Sequence, residues 1–296
     1  MVTILKQMLD LYECKTLEDE KNAVKEIMQE IALAGLAKSD FFKKCAFYGG
    51  TALRIFYGLE RFSEDLDFTL LTTDEHFSLE PYYSFIQNTV ESLGLRFEIY
   101  EKEKQGSSTI KSAFLKGNAK EHYLIFYPNS RLSSLIQSGE KIQIKFEIDL
   151  DPPSFASTEL KYRLLPYPYQ VRIYDKPSLF AGKIHAIIAR NWKTRVKGRD
   201  FYDYVFYLAT NTPVNLIHLE ARLKQTNSID PDLSLTIESL KKMLYQRFAE
   251  IDFDAVKKDV YPFIKDVHQL DLWSVSFFQS ITEGLSTVDS SSRRDE

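Results

Sequence analysis

Apolar residues recur at three- and four-residue steps between Leu17 and Phe42, where Val24, Ile27, Met28, Ile31, Ala32 and Leu36 form one stripe. This predicts an amphipathic helix with a face to bury. The period then changes. Cys45-Ala46-Phe47-Tyr48 is a short apolar run ending at Gly49-Gly50, and Asp65-Leu66-Asp67-Phe68 alternates polar with apolar, as a half-buried strand does. Glu80 to Leu93 predicts a second amphipathic helix and Leu95 to Tyr100 a strand. The interval with Gly106, Ser107 and Ser108 reads as an exposed turn, and Ala113 to Leu115 and Tyr123 to Tyr127 as short strands. Lys141 to Leu150 alternates strictly, with Ile142, Ile144, Phe146 and Ile148 on one face and Lys145, Glu147 and Asp149 on the other. Asp151-Pro152-Pro153 ends that strand, since proline cannot donate to a ladder. Tyr162 to Leu165 and Gln170 to Tyr174 predict two more.

The pattern turns helical at Asp175-Lys176-Pro177-Ser178, where Asp175 or Lys176 caps and Pro177 fits a first turn. Helical periodicity continues over Leu179 to Trp192, Arg199 to Ala209, Pro213 to Lys224, Asp232 to Tyr245 and Phe253 to Thr282, the last broken at Pro262. The expectation is an α+β fold. Residues 1–175 form a mixed-sheet domain with a helical preamble, residues 176–285 an α-helical domain, and the polar, serine-rich residues 286–296 a disordered tail.

Composition narrows the function classes. With 296 residues, 44% hydrophobic and 27% charged, the chain has enough apolar surface for a proper core. A net charge of -4 argues against nucleic-acid binding through the overall field and leaves a local basic patch open. Cys14 and Cys45 are the only cysteines, which suits a reducing compartment and excludes a disulfide framework or a cysteine zinc site. The histidines, His76, His122, His185, His218 and His268, show no metal-ligand spacing. Gly-x-Ser-x-Gly, Walker and Rossmann motifs are absent. The N-terminus lacks a signal-peptide pattern and no apolar run is long enough to span a bilayer, so the reading is cytoplasmic, without a membrane partner.

The chemistry centres on Gly49-Gly50 and Asp65-x-Asp67. Two glycines let a backbone bend sharply and approach a phosphate without a Cβ in the way, and a helix capped by Thr51 would aim free N-H groups at the same place. Asp65 and Asp67 point one way from one strand, and two such like charges are best tolerated with a divalent cation between them. Mg²⁺ or Mn²⁺ on that pair, with an NTP as substrate, fits phosphoryl chemistry. Glu147 or Asp149 would add a third carboxylate if the two strands are neighbours.

A second constellation lies in the helical half. Lys183, Ala186, Ile187 and Arg190 share a helical face, so the lysine and the arginine can reach one anion. The loop Trp192-Lys193-Thr194-Arg195-Val196-Lys197-Gly198-Arg199 is the most basic segment, and Trp192 offers a stacking face. Asp200 and Asp203 follow, one turn apart, where a first-turn carboxylate also suits the helix dipole. His185, between Ile184 and Ala186, reads as a packing or surface histidine rather than a ligand.

Gly49-Gly50-Thr51-Ala52-Leu53-Arg54, Arg61-Phe62-Ser63-Glu64-Asp65-Leu66-Asp67-Phe68, Lys145-Phe146-Glu147-Ile148-Asp149 and the stretch from Lys183 to Arg199-Asp200-Phe201-Tyr202-Asp203 together resemble the AbiEii/AbiGii nucleotidyltransferase-like toxins of type IV toxin-antitoxin and phage-defence systems. The resemblance implies a polymerase-beta-like nucleotidyltransferase domain followed by a helical domain. It implies metal at Asp65 and Asp67, with Glu147 or Asp149 beside them, and catalytic roles for Lys183 and Asp200. Nucleotide contacts would fall on Gly49, Gly50, Thr51, Arg54, Ser63, Lys183, Arg190 and Arg199. Thr51 would stand in for the serine that many nucleotidyltransferases carry after the first glycine. The implied activity is NMP transfer from NTP to RNA, with the tRNA 3′ end as acceptor, restrained by a cognate antitoxin of winged-helix type. A small-molecule or protein hydroxyl acceptor, and a non-catalytic nucleotide-binding regulator, are the competing readings.

Overall fold

The computed structural model describes residues 3–102, 110–118, 126, 140–190 and 196–288. The predicted turn around Gly106, the predicted strand from Tyr123 to Tyr127 except Phe126, residues 192–195 of the basic loop and residues 289–296 of the tail lie outside them. The chain divides into two compact units. The first is Met1–Ala52, Phe62–Pro152 and Thr158–Ile173; the second is Leu53–Arg61, Pro153–Ser157 and Tyr174–Glu296.

The first unit is built on a mixed seven-stranded sheet and establishes the α+β class. Its strands are β1 (Cys45–Tyr48), β2 (Asp65–Leu70), β3 (Glu98–Lys102), β4 (Ile110–Asn118), β5 (Lys141–Asp149), β6 (Thr158–Arg163) and β7 (Tyr169–Tyr174), in the spatial order β3-β4-β5-β2-β1-β7-β6. The expected neighbours do pair: β2 runs parallel to β5 and antiparallel to β1. β2 is therefore interior to the sheet, and its Leu66 and Phe68 are fully buried. Phe68 packs on Phe41 at 5.0 Å, Phe47 at 5.1 Å and Phe146 at 6.2 Å between ring centroids. Such aromatic contacts add about 0.5–1.5 kcal/mol each beyond area burial.

Helices cover the sheet's apolar face. After α1 (Thr3–Leu9), α2 (Leu17–Leu36) opens with a capping box in which Thr16 accepts from the Asp19 N-H and Asp19 accepts from the Thr16 N-H. The predicted stripe from Val24 to Leu36 is wholly buried. The helix stops six residues short of Phe42, because the chain turns at Ala37 to Asp40 before the short α3 (Phe41–Lys44). Next come α4 (Gly49–Tyr57) and α5 (Glu80–Ser92). Gly35 of α2 lies so close to Ile86 of α5 that a Cβ there would sit 2.9 Å from the Ile86 Cα. On the same face, buried Glu30 takes a two-pronged ion pair from Arg163, at 2.8 Å on each arm.

In the second unit, α6 (Lys176–Ala189), α7 (Gly198–Ala209), α8 (Leu216–Gln225), α9 (Ile237–Ala249), α10 (Phe253–Val260) and α11 (Val275–Thr282) follow one another. Asp175 caps α6 by accepting from the Ser178 N-H, with Pro177 in the first turn. Phe278 gathers Phe248, Phe253 and Phe201 at 5.3, 4.8 and 5.5 Å. The helix predicted over Phe253 to Thr282 is two helices. α10 ends in a short 3-10 turn at Tyr261–Phe263 containing Pro262, and irregular chain with a second such turn precedes α11. The start of the predicted tail is also built in, since Ser286 accepts from the Val214 N-H and Val288 donates to the Val214 carbonyl.

Candidate active site

The sheet assembles the first unit's candidate residues by register alone. In the parallel pair, Asp65 stands opposite Lys145, Asp67 opposite Glu147 and Thr69 opposite Asp149. Registered residues of neighbouring strands project to the same face, so Asp65, Asp67, Lys145 and Glu147 share the face opposite Leu66 and Phe68. Of the two candidates for a third carboxylate, Glu147 is the one in register with Asp67. Asp149 lies one step further along and accepts from the Asp151 N-H, the role of a turn-forming aspartate. Glu147 is held by Lys145 at 2.7 Å and by the Ser112 hydroxyl at 3.3 Å.

Gly49 is the residue most tightly bound to this arrangement. Its φ is +82°, and a Cβ there would run into the Asp67 carboxylate, whose Cβ and Cγ lie 3.1 Å from the position it would take. The first glycine is thus needed for its left-handed backbone and to leave Asp67 its place. Gly49→Ala should cost about 1–2 kcal/mol of stability from backbone strain. It should also cut nucleotidyl transfer by up to about a hundredfold, the cost of a displacement of about 1 Å at a reacting centre. Thermal melts and initial-rate assays check the two effects separately.

Thr51 differs from expectation. It lies inside the first turn of α4, fully buried, and its hydroxyl donates to the Asp65 carbonyl. It therefore ties the helix to β2, and what it can offer a phosphate is its backbone N-H, alongside those of Gly49 and Gly50. Arg54 is likewise committed, donating to the carbonyls of Leu59 and Glu60. The Ser63 carbonyl, with that of Glu64, accepts from the buried Gln29 amide, at 3.1 and 2.9 Å, which fixes the approach to β2.

The donor set suits a hard divalent cation in kind: oxygen-only, half-buried, on an interior strand. Among the described residues, no cluster of three or more His, Cys, Asp or Glu is arranged to share an ion. Asp65 and Asp67 are the two carboxylates of this face that would hold such an ion.

Within the second unit the other constellation closes on itself. Lys183 does share a face with Arg190, and the anion both reach is Asp200: Lys183 binds it at 2.9 Å and Arg190 directly on the other oxygen. Lys183 also binds Asp203 at 2.8 Å, and Arg61 grips Asp203 with two parallel bonds of 2.6 Å. Burial works against the charge on Lys183 and on Arg61, but the facing carboxylates outweigh it and both pKa values are raised. Burial likewise opposes ionisation of Asp200, and Lys183 and Arg190 outweigh it, so its pKa is lowered. Three cations against two carboxylates leave one surplus positive charge, and Arg190, 40% exposed, is the most accessible of the five.

Arg61 and Asp203 were the residues that sequence reasoning under-weighted. Arg61 stands between Glu60 and Phe62 in a mixed polar stretch, and nothing local marks a buried partner 142 positions away. Arg199 lies over the Phe263 ring at 4.1 Å. Gly198 lets α7 meet α10, since a Cβ there would overlap the Val256 carbonyl, and its N-H donates to Asp259 at 2.7 Å.

His185 is a packed histidine, half-buried, with Nε2 3.0 Å from the Thr226 hydroxyl. Burial, then Arg222, Arg190 and His218, push its pKa down to about 3. The unfolded chain binds that proton near pH 6.5, so this contribution to stability is full above that pH and declines as pH falls toward 3. The loss should reach about 2 kcal/mol at pH 5, and His185→Gln should flatten the pH dependence of Tm between pH 7 and 5.

A family model described as nucleotidyl transferase AbiEii toxin, type IV TA system, matches residues 31–279. Among solved structures, JHP933 from Helicobacter pylori is similar at 17% identity and a TM-score of 0.47, over 88% of this chain and 91% of that one. A second H. pylori protein, described as a candidate nucleotidyltransferase, is similar at 20% identity and a TM-score of 0.42, over 88% and 94%. No curated protein matches the sequence. No helix among the described residues is long and apolar enough to cross a membrane.

Proposed function

This chain belongs to the AbiEii family of nucleotidyl transferase toxins of type IV toxin-antitoxin systems, and from that premise we propose that it transfers NMP from an NTP to an RNA hydroxyl, with the tRNA 3′ end as acceptor. The observation that carries the reading is the register of β2 and β5, which sets Asp65 and Asp67 on one sheet face beside Glu147, next to the glycine that opens α4.

In the proposed reaction the acceptor hydroxyl releases its proton to solvent, its oxygen attacks the α-phosphorus, the bond from that phosphorus to the bridging oxygen breaks, and pyrophosphate leaves with the electron pair. Mg²⁺ or Mn²⁺ on Asp65 and Asp67 would neutralise the triphosphate and favour the ionised acceptor hydroxyl. The N-H groups of Gly49, Gly50 and Thr51 offer donors to phosphate oxygens, as helix N-termini do. Thr51 and Gln29 hold the strand that carries the carboxylates. Within the second unit Lys183 and Asp200 hold each other, so they act as positioning residues, and Arg190 is the cation of that cluster most open to an anion.

A cognate antitoxin goes with family membership, and a winged-helix regulator is the form we infer for it. The net charge of -4 favours a second reading, with a small-molecule or protein hydroxyl as acceptor.

The test supplies the protein with Mg²⁺ or Mn²⁺, each α-labelled NTP and total cellular RNA. Label should enter RNA of tRNA size with the wild type and not with Asp65→Ala/Asp67→Ala. Binding of NTP without label in any RNA would overturn the RNA acceptor, and label in protein instead would establish the second reading.

A further inference from the structure

The sheet face that carries Asp65, Asp67 and Glu147 continues from β5 over β4 to β3 at the sheet edge. Register fixes its rows. Asp65 stands opposite Lys145, Lys145 opposite Phe114 and Phe114 opposite Tyr100, so one row leads from the carboxylate pair to the edge. In the next row Lys116 stands between Glu98 and Gln143, and Lys141 lies beyond it, opposite Asn118. The other face of these strands is apolar and buried, with Ala113, Leu115, Ile142 and Ile144. Three strand spacings of about 4.8 Å put Tyr100 about 14 Å from Asp65.

Rings and lysines alternate on the open face. Tyr100 is 43% exposed and Phe114 half-buried, two rings that core packing does not account for. Lys116 Nζ lies 5.2 Å from the Tyr100 ring centroid and 5.3 Å from that of Phe114. Glu98, the carboxylate across from it, accepts from the Tyr100 hydroxyl. Lys145 is engaged with Glu147, whereas Lys116 and exposed Lys141 form no ion pair among the described residues. Both lysines also line a cleft of about 830 Å³, where they and Arg96 outnumber Glu91 and Glu98.

This combination selects among occupants. An apolar partner would use only the rings, and an acidic protein only the lysines. A single-stranded nucleic acid uses both, because each nucleotide offers a base to stack on a ring and a phosphate to meet an ammonium group. A duplex keeps its bases stacked inside and cannot.

Given the RNA acceptor proposed above, we propose that Tyr100, Phe114, Lys116 and Lys141 hold its single-stranded end, with a base on Tyr100 and backbone phosphates on the two lysines. The terminal hydroxyl is thereby directed along the row toward Asp65 and Asp67. Fluorescence anisotropy of the full chain with a labelled single strand of about twelve ribonucleotides measures this binding without NTP or transfer. Tyr100→Ala should weaken it about tenfold, the loss of one stacked base, and Tyr100→Phe, which keeps the ring, by less than about twofold. Lys116→Gln should weaken binding and reduce the slope of log K against log salt by about 0.7, one phosphate contact on a single strand, while Tyr100→Ala leaves that slope unchanged. In transfer assays Tyr100→Ala should raise KM for RNA and not for NTP. Thermal melts confirm that each variant is folded.

No binding of the single strand by the wild type, a Tyr100→Ala variant that binds as tightly, or duplex RNA bound as well as the single strand would each overturn the proposal. Displacement of the RNA by polyglutamate at equal charge would assign the face to an acidic protein and overturn it too. Label entering RNA in any of these cases would leave the transfer reading standing. A wild type that binds the single strand with the dependences above, yet labels no RNA, would uphold the face and overturn the transfer reading instead.

Discussion

Asp65→Asn combined with Asp67→Asn should reduce nucleotidyl transfer by a factor of about a thousand or more while leaving the melting temperature unchanged or slightly raised. The two halves of this result have one cause. Both carboxylates lie on one face of an interior strand, half-buried and two residues apart, where like charges repel. Asparagine keeps their shape and removes the repulsion, so the fold gains or breaks even. The same change removes the anionic oxygens that a divalent cation needs, and stabilisation of developing charge by such a cation is worth several kcal/mol. Single-turnover incorporation of labelled NMP measures the first effect and thermal melts the second. A drop in both would make the pair structural. An unaffected rate would remove these residues from the chemistry altogether.

Much of this half of the site was legible because it depends on short-range pattern. Alternation in Asp65 to Phe68 and in Lys141 to Leu150 marks each strand and each polar face. Only the pairing of β2 with β5, in a particular register, separates Glu147 from Asp149, and register is a long-range property with no local signature. Thr51 misled for a related reason. A threonine ahead of an apolar run reads as a cap, but here the helix begins two residues earlier, at glycines that propensity disfavours. Tertiary contact with Asp67 overrides that propensity. The break after Pro262 was visible, whereas the irregular stretch beyond it, ahead of α11, was hidden by apolar residues that happen to fall at helical spacing. Lys183 and Arg190 were correctly put on one face. The anion they meet, Asp200, stood in plain view of the same reading, but an ion pair and a ligand site use identical residue types, and spacing does not distinguish them.

Arg61 and Asp203 are 142 positions apart, and no local pattern links them. Their pairing sets the second large expectation: Asp203→Ala should destabilise the protein by about 3–5 kcal/mol, against about 0–1 kcal/mol for an exposed pair. The arginine is 2% exposed and the aspartate fully buried, so removing the carboxylate leaves the guanidinium in the interior with its two 2.6 Å bonds gone. Lys183 loses its 2.8 Å contact as well and keeps only Asp200. Arg61→Met/Asp203→Leu removes both charges and fills the space, and should recover most of the loss, because an apolar pair avoids the desolvation penalty of an ion pair. Denaturant unfolding of Arg61→Met, Asp203→Leu and the double variant gives the coupling energy directly. If Asp203→Ala cost less than about 1 kcal/mol, water would have to reach the guanidinium, and the cluster would be a solvated feature rather than an interior one. If instead the double variant is stable but transfers NMP poorly, the network is kept for the placement of Lys183 and Asp200 rather than for stability.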